Sequence, residues 1–218
     1  MAGAGRMGQA IANGVAAADD LELAGTWRRG GDLDALLADS DVLVDFSLPE
    51  ATETVVAAAL GRRVPLVCGV SGLGDAQLSS LELASAEIPV VYDRNMSPGV
   101  AVLEKLVHKA AKALPGFDVE IRETHHVHKI DAPSGTALKL GDAIAAGRGT
   151  DPAEIHYESE RRGEVPGDHE VVLASATETL TLAHSVTTRQ VFADGALLAA
   201  RWVSGRSPGM FTMHDVLE

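Results

Sequence analysis

The chain has 218 residues, of which 31 are Asp or Glu and 18 are Lys or Arg, for a formal net charge of −13. That balance argues against a nucleic-acid partner, whose phosphates need a basic face, and Cys68, the only cysteine, excludes an intramolecular disulfide and fits a reducing compartment. No stretch approaches the ~20 apolar residues of a membrane span, and the N-terminus shows no basic leader pattern, so a soluble, cytoplasmic protein of one large or two modest domains is expected.

In chain order, the first feature is G-A-G-R-M-G, a G-x-G-x-x-G pattern at Gly3, Gly5 and Gly8 that runs into a helix. Such glycines let backbone approach a pyrophosphate, which then sits on the helix N-terminus. Only Met1 and Ala2 precede Gly3, so the strand feeding this loop is expected to be very short or cut. Leu21–Trp27 reads as a second strand. About 20 residues past the last glycine, where an acid would bind a free ribose hydroxyl, the chain has Arg28 and then Arg29. Arginine accommodates a 2′-phosphate, which favours NADPH over NADH; a solvated arginine pair on a loop is the alternative.

Beyond this point helices and strands alternate. Ala35–Ala38 is a short helix, Asp41–Phe46 a buried parallel strand, Ala51–Leu60 a helix entered at Pro49, and Val64–Val67 a strand. Gly69 to Gly72 form a flexible turn at a strand's carboxyl end, where open α/β sheets bind ligands. A helix over Asp75–Ala86 and a strand over Ile88–Tyr92 complete a doubly wound, Rossmann-type parallel sheet with right-handed crossovers.

A long helix, Val100–Ala113, carries the chain into a second domain and ends at Pro115 and Gly116. Next comes V-E-I-R-E-T-H-H-V-H-K-I-D-A-P-S-G-T-A, Val119 to Ala137. Val119, Ile121, Val127 and Ile130 predict a strand closed by Pro133. Alternation along it puts His125 and Lys129 on one face and His126 and His128 on the other. Ser134 is a natural N-cap for a helix over Gly135–Ala146. The unpaired N–H groups of that helix start let Gly135 and Thr136 hold a carboxylate. Lys129 and the imidazoles add cationic or proton-donating groups beside it. The pattern describes a pocket for a small dianion that must also receive a proton.

Two blander readings compete. H-H-x-H with Asp131 nearby could ligate a metal, but His125 and His126 point to opposite sides of a strand and Lys129 would repel a cation, so no metal is expected. A solvated strand end with no role is the other.

Gly147–Gly167 is rich in glycine, proline and charge and reads as an exposed loop. Glu170–Ala174, Glu178–Ser185 and Ala196–Trp202 read as strands of an open mixed sheet with helices on one face. The final segment, Gly205–Leu217, looks like a return to the first domain. The expected division is therefore a dinucleotide-binding domain over 1–94 and 206–218 and an α+β domain over 95–205, with crossings near Arg94–Pro98 and Val203–Pro208.

H-H-V-H-K-I-D-A-P-S-G-T-A resembles the signature of the dihydrodipicolinate reductase (4-hydroxy-tetrahydrodipicolinate reductase) family. G-A-G-R-M-G, V-D-F-S-L-P-E-A-T, C-G-V-S-G, N-M-S-P-G-V, F-A-D-G-A-L and G-M-F-T-M-H-D-V-L accompany it in order. The resemblance covers nearly the whole chain. It implies an NAD(P)H-dependent reductase of lysine and diaminopimelate biosynthesis. Hydride passes to a cyclic dicarboxylate, 4-hydroxy-tetrahydrodipicolinate, and water is lost to give tetrahydrodipicolinate. It also implies a homotetramer built through the sheets of the substrate-binding domains.

Carried onto this chain, the resemblance makes His125 the catalytic histidine and Lys129 the proton donor. His126, Gly135 and Thr136 become contacts to the substrate carboxylates. Gly3, Ala4, Gly5, Arg6 and Met7 match the pyrophosphate loop. Gly69, Val70 and Ser71, with Asp93, Arg94, Asn95 and Met96, match segments on the nicotinamide side. The chain departs from the family in a glycine loop one residue shorter, in lacking an acid at position 28, in having Met96 for a more usual phenylalanine, and in a shortened stretch between Trp27 and Asp41. Another Rossmann dehydrogenase of aspartate-derived intermediates, or a nucleotide-binding regulator without catalysis, would share parts of this pattern.

Overall fold

Short apolar runs bounded by turns become strands, and the longer Ala- and Leu-rich stretches between them become helices. The computed structural model describes residues 1–218. The elements of the first half are α1 (Arg6–Ala16), α2 (Leu33–Leu37), β1 (Leu43–Asp45), α3 (Pro49–Arg62), β2 (Leu66–Cys68), α4 (Asp75–Ser85), β3 (Pro89–Tyr92) and α5 (Pro98–Ala113). Then follow β4 (Asp118–His125), α6 (Gly135–Arg148), β5 (His156–Arg161), β6 (Asp168–Ala174), β7 (Thr179–Ser185), α7 (Gln190–Val203), β8 (Gly209–Phe211) and α8 (Met213–Val216). They form two units, Met1–Pro98 with Arg189–Glu218, and Gly99–Thr188.

The first unit holds a parallel sheet in the order β1-β2-β3-β8. Its strands are buried runs such as L-V-D and L-V-C, as expected where helices cover both faces of a sheet. Pro49 starts α3 at a position where a missing N–H costs nothing, and Arg63 ends it in the left-handed conformation. The expected first strand is reduced to Ala2, which makes isolated parallel bridges to Trp27 and Asp45. The strand expected over Leu21–Trp27 is therefore limited to Trp27, because one residue of partner backbone cannot sustain a ladder.

Two expectations fail around α7. Ala196–Trp202 is helix, not strand. Ala193, Ala196, Leu197, Ala200 and Val203 are buried at helical spacing, and Ala, Leu and Arg are strong helix formers. This helix belongs to the first unit, so the second crossing between units lies at 188/189 instead of 205/206, and the first at 98/99. Contact is close enough to require glycine. A Cβ on Gly195 would stand 1.7 Å from the Met96 carbonyl oxygen, and one on Gly14 would stand 2.7 Å from Leu197.

The second unit is a mixed sheet in the order β5-β4-β6-β7, with β4 and β5 parallel and the other pairs antiparallel. Leu103, Val107 and Ala111 of α5 and Ala137, Leu140 and Ile144 of α6 pack in one core with Ile121, Val171 and Leu173 of the sheet. The opposite face is polar, with Arg122 reaching the carboxylates of Glu120, Glu158 and Glu170 at 2.7, 3.4 and 3.3 Å. The stretch expected to be loop over Gly147–Gly167 contains the edge strand β5, H-Y-E-S-E-R. Apart from Tyr157 its residues are polar, which hides a strand from any hydrophobic pattern, and pairing with β4 decides the matter.

Candidate active site

β4 brings Ile121, Glu123 and His125 to the helix-covered face by simple alternation. Ile121 enters the core, but the next two positions are polar and still buried, Glu123 at 2% exposure and His125 at 7%. Buried polar groups need partners. His125 Nδ1 makes a short hydrogen bond with Glu123 Oε2. Arg161, opposite His125 in the ladder with β5, grips the same carboxylate through Nη1 to Oε2 at 3.1 Å and Nη2 to Oε1 at 2.9 Å.

The guanidinium then reaches onward. Its Nε donates to the Lys129 carbonyl at 3.3 Å, and Nη2 donates to the Asp131 carbonyl. Arg161 thereby ties the loop carrying Lys129 to the residue that holds His125. Lys129 Nζ donates to both carboxylate oxygens of Asp131 at 2.7 Å.

A second link runs to α6. The His169 ring meets His125 edge-on, with centroids 5.2 Å apart and planes at 75°. His169 Nε2 is 3.1 Å from Ser134 Oγ, which also accepts the Ala137 N–H at 3.1 Å. The expected N-cap is therefore in place, and no acidic residue occupies the first turn of α6. Gly135 has open space where a Cβ would stand, whereas Thr136 is buried.

Burial and charge set the protonation states. Burial lowers the His125 pKa; Glu123 pushes it back up, while Lys129 and Arg161 lower it further. Burial favours a neutral Glu123, but hydrogen bonds from Arg161, Ser159 and His125 hold it below the usual carboxylate range. Burial pushes His169 down to about 3. The cluster at neutral pH is an ionised Glu123 between a cationic Arg161 and a neutral His125, with a neutral His169 beside it.

The alternation expected to join His125 with Lys129 stops at His125, where β4 ends. Lys129 instead sits on a turn, its N–H donating to the His126 carbonyl at 3.1 Å. Val127 and Ile130, expected to be strand residues, are exposed. His126 is half-buried, its ring 6.1 Å from that of His128, which is exposed with Glu164 at 3.6 Å. Sequence reasoning missed Glu123, Arg161 and His169. Glu123 was discoverable, since strand alternation puts it on the face of His125. Arg161 and His169 carried no local signal.

In the first unit, the expected cofactor residues gather at the carboxyl ends of the parallel strands. Gly3 to Met7 follow the Ala2 bridge, Arg28 and Arg29 the Trp27 bridge, Gly69, Val70 and Ser71 β2, and Asp93, Arg94, Asn95 and Met96 β3. The glycine loop fits a diphosphate. A Cβ on Gly3 would stand 2.5 Å from the Phe46 carbonyl oxygen, and one on Gly8 would stand 2.0 Å from that of Gly3. Gly5 faces open space, and α1 starts with no side-chain cap and no acid in its first turn, as an anion-receiving helix start should. Past β3, Asp93 accepts the N–H groups of Asn95 at 3.1 Å and Met213 at 3.3 Å, and Asn95 accepts that of Ser97 at 2.9 Å. Arg28 and Arg29 are exposed.

Residues 1–96 match the family model described as dihydrodipicolinate reductase, N-terminus, and residues 99–217 match its C-terminal counterpart. A protein of Alkalilimnicola ehrlichii named 4-hydroxy-tetrahydrodipicolinate reductase is 45% identical, over 92% of this chain and 83% of its own. One of Sulfurimonas denitrificans with the same name is 37% identical, over 98% and 96%. Among solved structures, the dipicolinate-bound dihydrodipicolinate reductase of Paenisporosarcina sp. TG-14 superposes with a TM-score of 0.76 at 24% identity, over 97% of this chain and 95% of that one.

Proposed function

This chain belongs to the dihydrodipicolinate reductase family, and we propose that it reduces 4-hydroxy-tetrahydrodipicolinate to tetrahydrodipicolinate with a nicotinamide cofactor, releasing water, in lysine and diaminopimelate biosynthesis. The observation that carries the reading is the cluster in which His125, the Lys129 loop and the start of α6 are joined through Arg161, Glu123, His169 and Ser134.

Gly3, Ala4, Gly5, Arg6 and Met7 would hold the cofactor's pyrophosphate at the start of α1. Gly69 to Ser71 and Asp93 to Met96 would line its nicotinamide side. When bound, the dihydronicotinamide supplies the hydride. Arg28 and Arg29 favour NADPH, because two guanidinium groups and no acid stand where the ribose is read.

The substrate's carboxylates go to Gly135, Thr136 and His126, where the positive end of the α6 dipole meets them. Hydride takes the place of the hydroxyl on carbon, and the proton given up by Lys129 Nζ balances the departing hydroxide, which leaves as water. His125 presents an unprotonated Nε2 as a proton acceptor beside the reacting carbon, and the buried surroundings strengthen the attraction of Lys129 for the anionic substrate. The first unit thus serves the cofactor and the second serves the substrate. The open, charged face of the mixed sheet is the surface through which a homotetramer would form, and the protein is read as cytoplasmic.

Steady-state oxidation of NADPH and of NADH, measured on enzymatically generated substrate, tests the reading. Substrate-dependent oxidation, faster or tighter with NADPH, is expected. A protein that binds NADPH in a fluorescence titration but turns over with neither cofactor would refute the proposed reaction.

A further inference from the structure

We propose that Glu123 and Arg161 are positioning residues for His125: the carboxylate, locked by the guanidinium, fixes the imidazole as the tautomer with its proton on Nδ1 and its lone pair on Nε2. The inference rests on the reading of His125 as a reacting group.

An ionised carboxylate can only accept hydrogen bonds. Since Glu123 Oε2 is bonded to Nδ1, that nitrogen must carry the hydrogen. Glu123 cannot turn away, because each of its oxygens is held by one Arg161 nitrogen and its side chain is wholly buried. Planar, bidentate geometry is what distinguishes arginine from lysine in this role. The edge contact from His169 fixes the plane of the imidazole. Gly167, at φ +153°, lies against Nε2, and a Cβ there would stand 3.0 Å from it. Glycine at that position leaves the lone pair uncovered. Arg161 also holds the carbonyls of Lys129 and Asp131, so one guanidinium sets both the tautomer of His125 and the loop that carries Lys129.

A buried ion pair of this kind is a poor source of stability, since desolvation offsets most of its attraction. Its place between β4 and β5 is better explained by what it orients. The ionisable groups that face the imidazole are Glu123 from β4, Arg161 from β5, His169 from β6 with His184 behind it on β7, and Lys129 and Asp131 from the loop.

The direct test needs no substrate. In 15N-histidine-labelled protein at neutral pH, His125 should show a protonated Nδ1 and an unprotonated Nε2; a proton on Nε2 overturns the proposal. In Glu123→Gln the tautomer preference should be lost. kcat should fall tenfold or more, the scale on which orienting partners act, with substrate KM changed less than threefold. The acid limb of kcat/KM should move to lower pH, because the carboxylate that favours imidazolium is gone. Arg161→Lys keeps the charge but loses the fork and should show the same effects in weaker form. A folded Glu123→Gln protein with unchanged kcat and pH profile also overturns the proposal. Inactivity of the unaltered protein on the substrate would defeat the proposed reaction alone, since the tautomer is read without substrate.

Discussion

Ser134 Oγ stands 3.1 Å from His169 Nε2 and accepts the N–H of Ala137 at the same distance. One hydroxyl therefore caps α6 and anchors the ring that packs against His125. Ser134→Ala should cost about 1 kcal/mol for the cap and about 1–3 kcal/mol more for the imidazole left behind, because His169 Nδ1 has no partner to compensate. Urea unfolding of the two proteins measures the sum; a loss under about 0.5 kcal/mol would mean that the bond contributes little.

Acid should destabilise the protein well before its carboxylates protonate. His169 is held neutral by burial, with a pKa of about 3 against 6.5 when unfolded. Between those values the unfolded chain binds a proton that the folded one does not, so stability is complete above pH 6.5 and is lost as pH falls. At pH 5 this amounts to about 2 kcal/mol from His169 alone. His125 and His184, also lowered by burial, add in the same direction. His169→Gln should flatten the dependence of unfolding free energy on pH between 7.5 and 5, and an unchanged slope would remove His169 from the account.

Gly167 should tolerate no side chain. Gly167→Ala would bring a methyl group to 3.0 Å from His125 Nε2 at a backbone angle that L-residues rarely adopt. The expected result is a folded protein, by circular dichroism, whose kcat/KM falls tenfold or more. Wild-type kinetics in this variant would show that Nε2 is not the working nitrogen.

The cluster makes different demands on its members. Lys129→Ala and His125→Ala should depress mainly kcat, by about 10²-fold or more as for lost acid–base groups. Thr136→Val should mainly raise KM, since it alters binding at the helix start. If both catalytic replacements turned over normally, those two roles would be wrong.

In the first unit, Gly195→Ala forces a Cβ to 1.7 Å from the Met96 carbonyl oxygen. Backbone cannot yield as a flexible side-chain end does. The cost should reach about 3 kcal/mol, the top of the usual overpacking range. Thermal melting reads it, and a wild-type Tm would mean that α7 can shift without loss.

Local chemistry made some of this protein legible in its sequence. The Ser134 cap and the uncapped glycine turn at Gly3 to Gly8 depend on residues within a turn of one another, as do the buried runs L-V-D and L-V-C. The same holds for His125 and Lys129 as candidate reacting groups. Tertiary structure decided the rest. The run Ala196–Trp202 is rich in helix formers yet apolar enough to read as a buried strand, and its packing beside Met96 and Gly14 fits it as a helix of the first unit. β5 has almost no apolar pattern and exists through its pairing with β4. That register sets Arg161 opposite His125, and the register of β6 sets His169 opposite Glu123. Spacing along the chain carries no record of which strands lie side by side, so the tautomer of His125 was decided only when the sheet assembled.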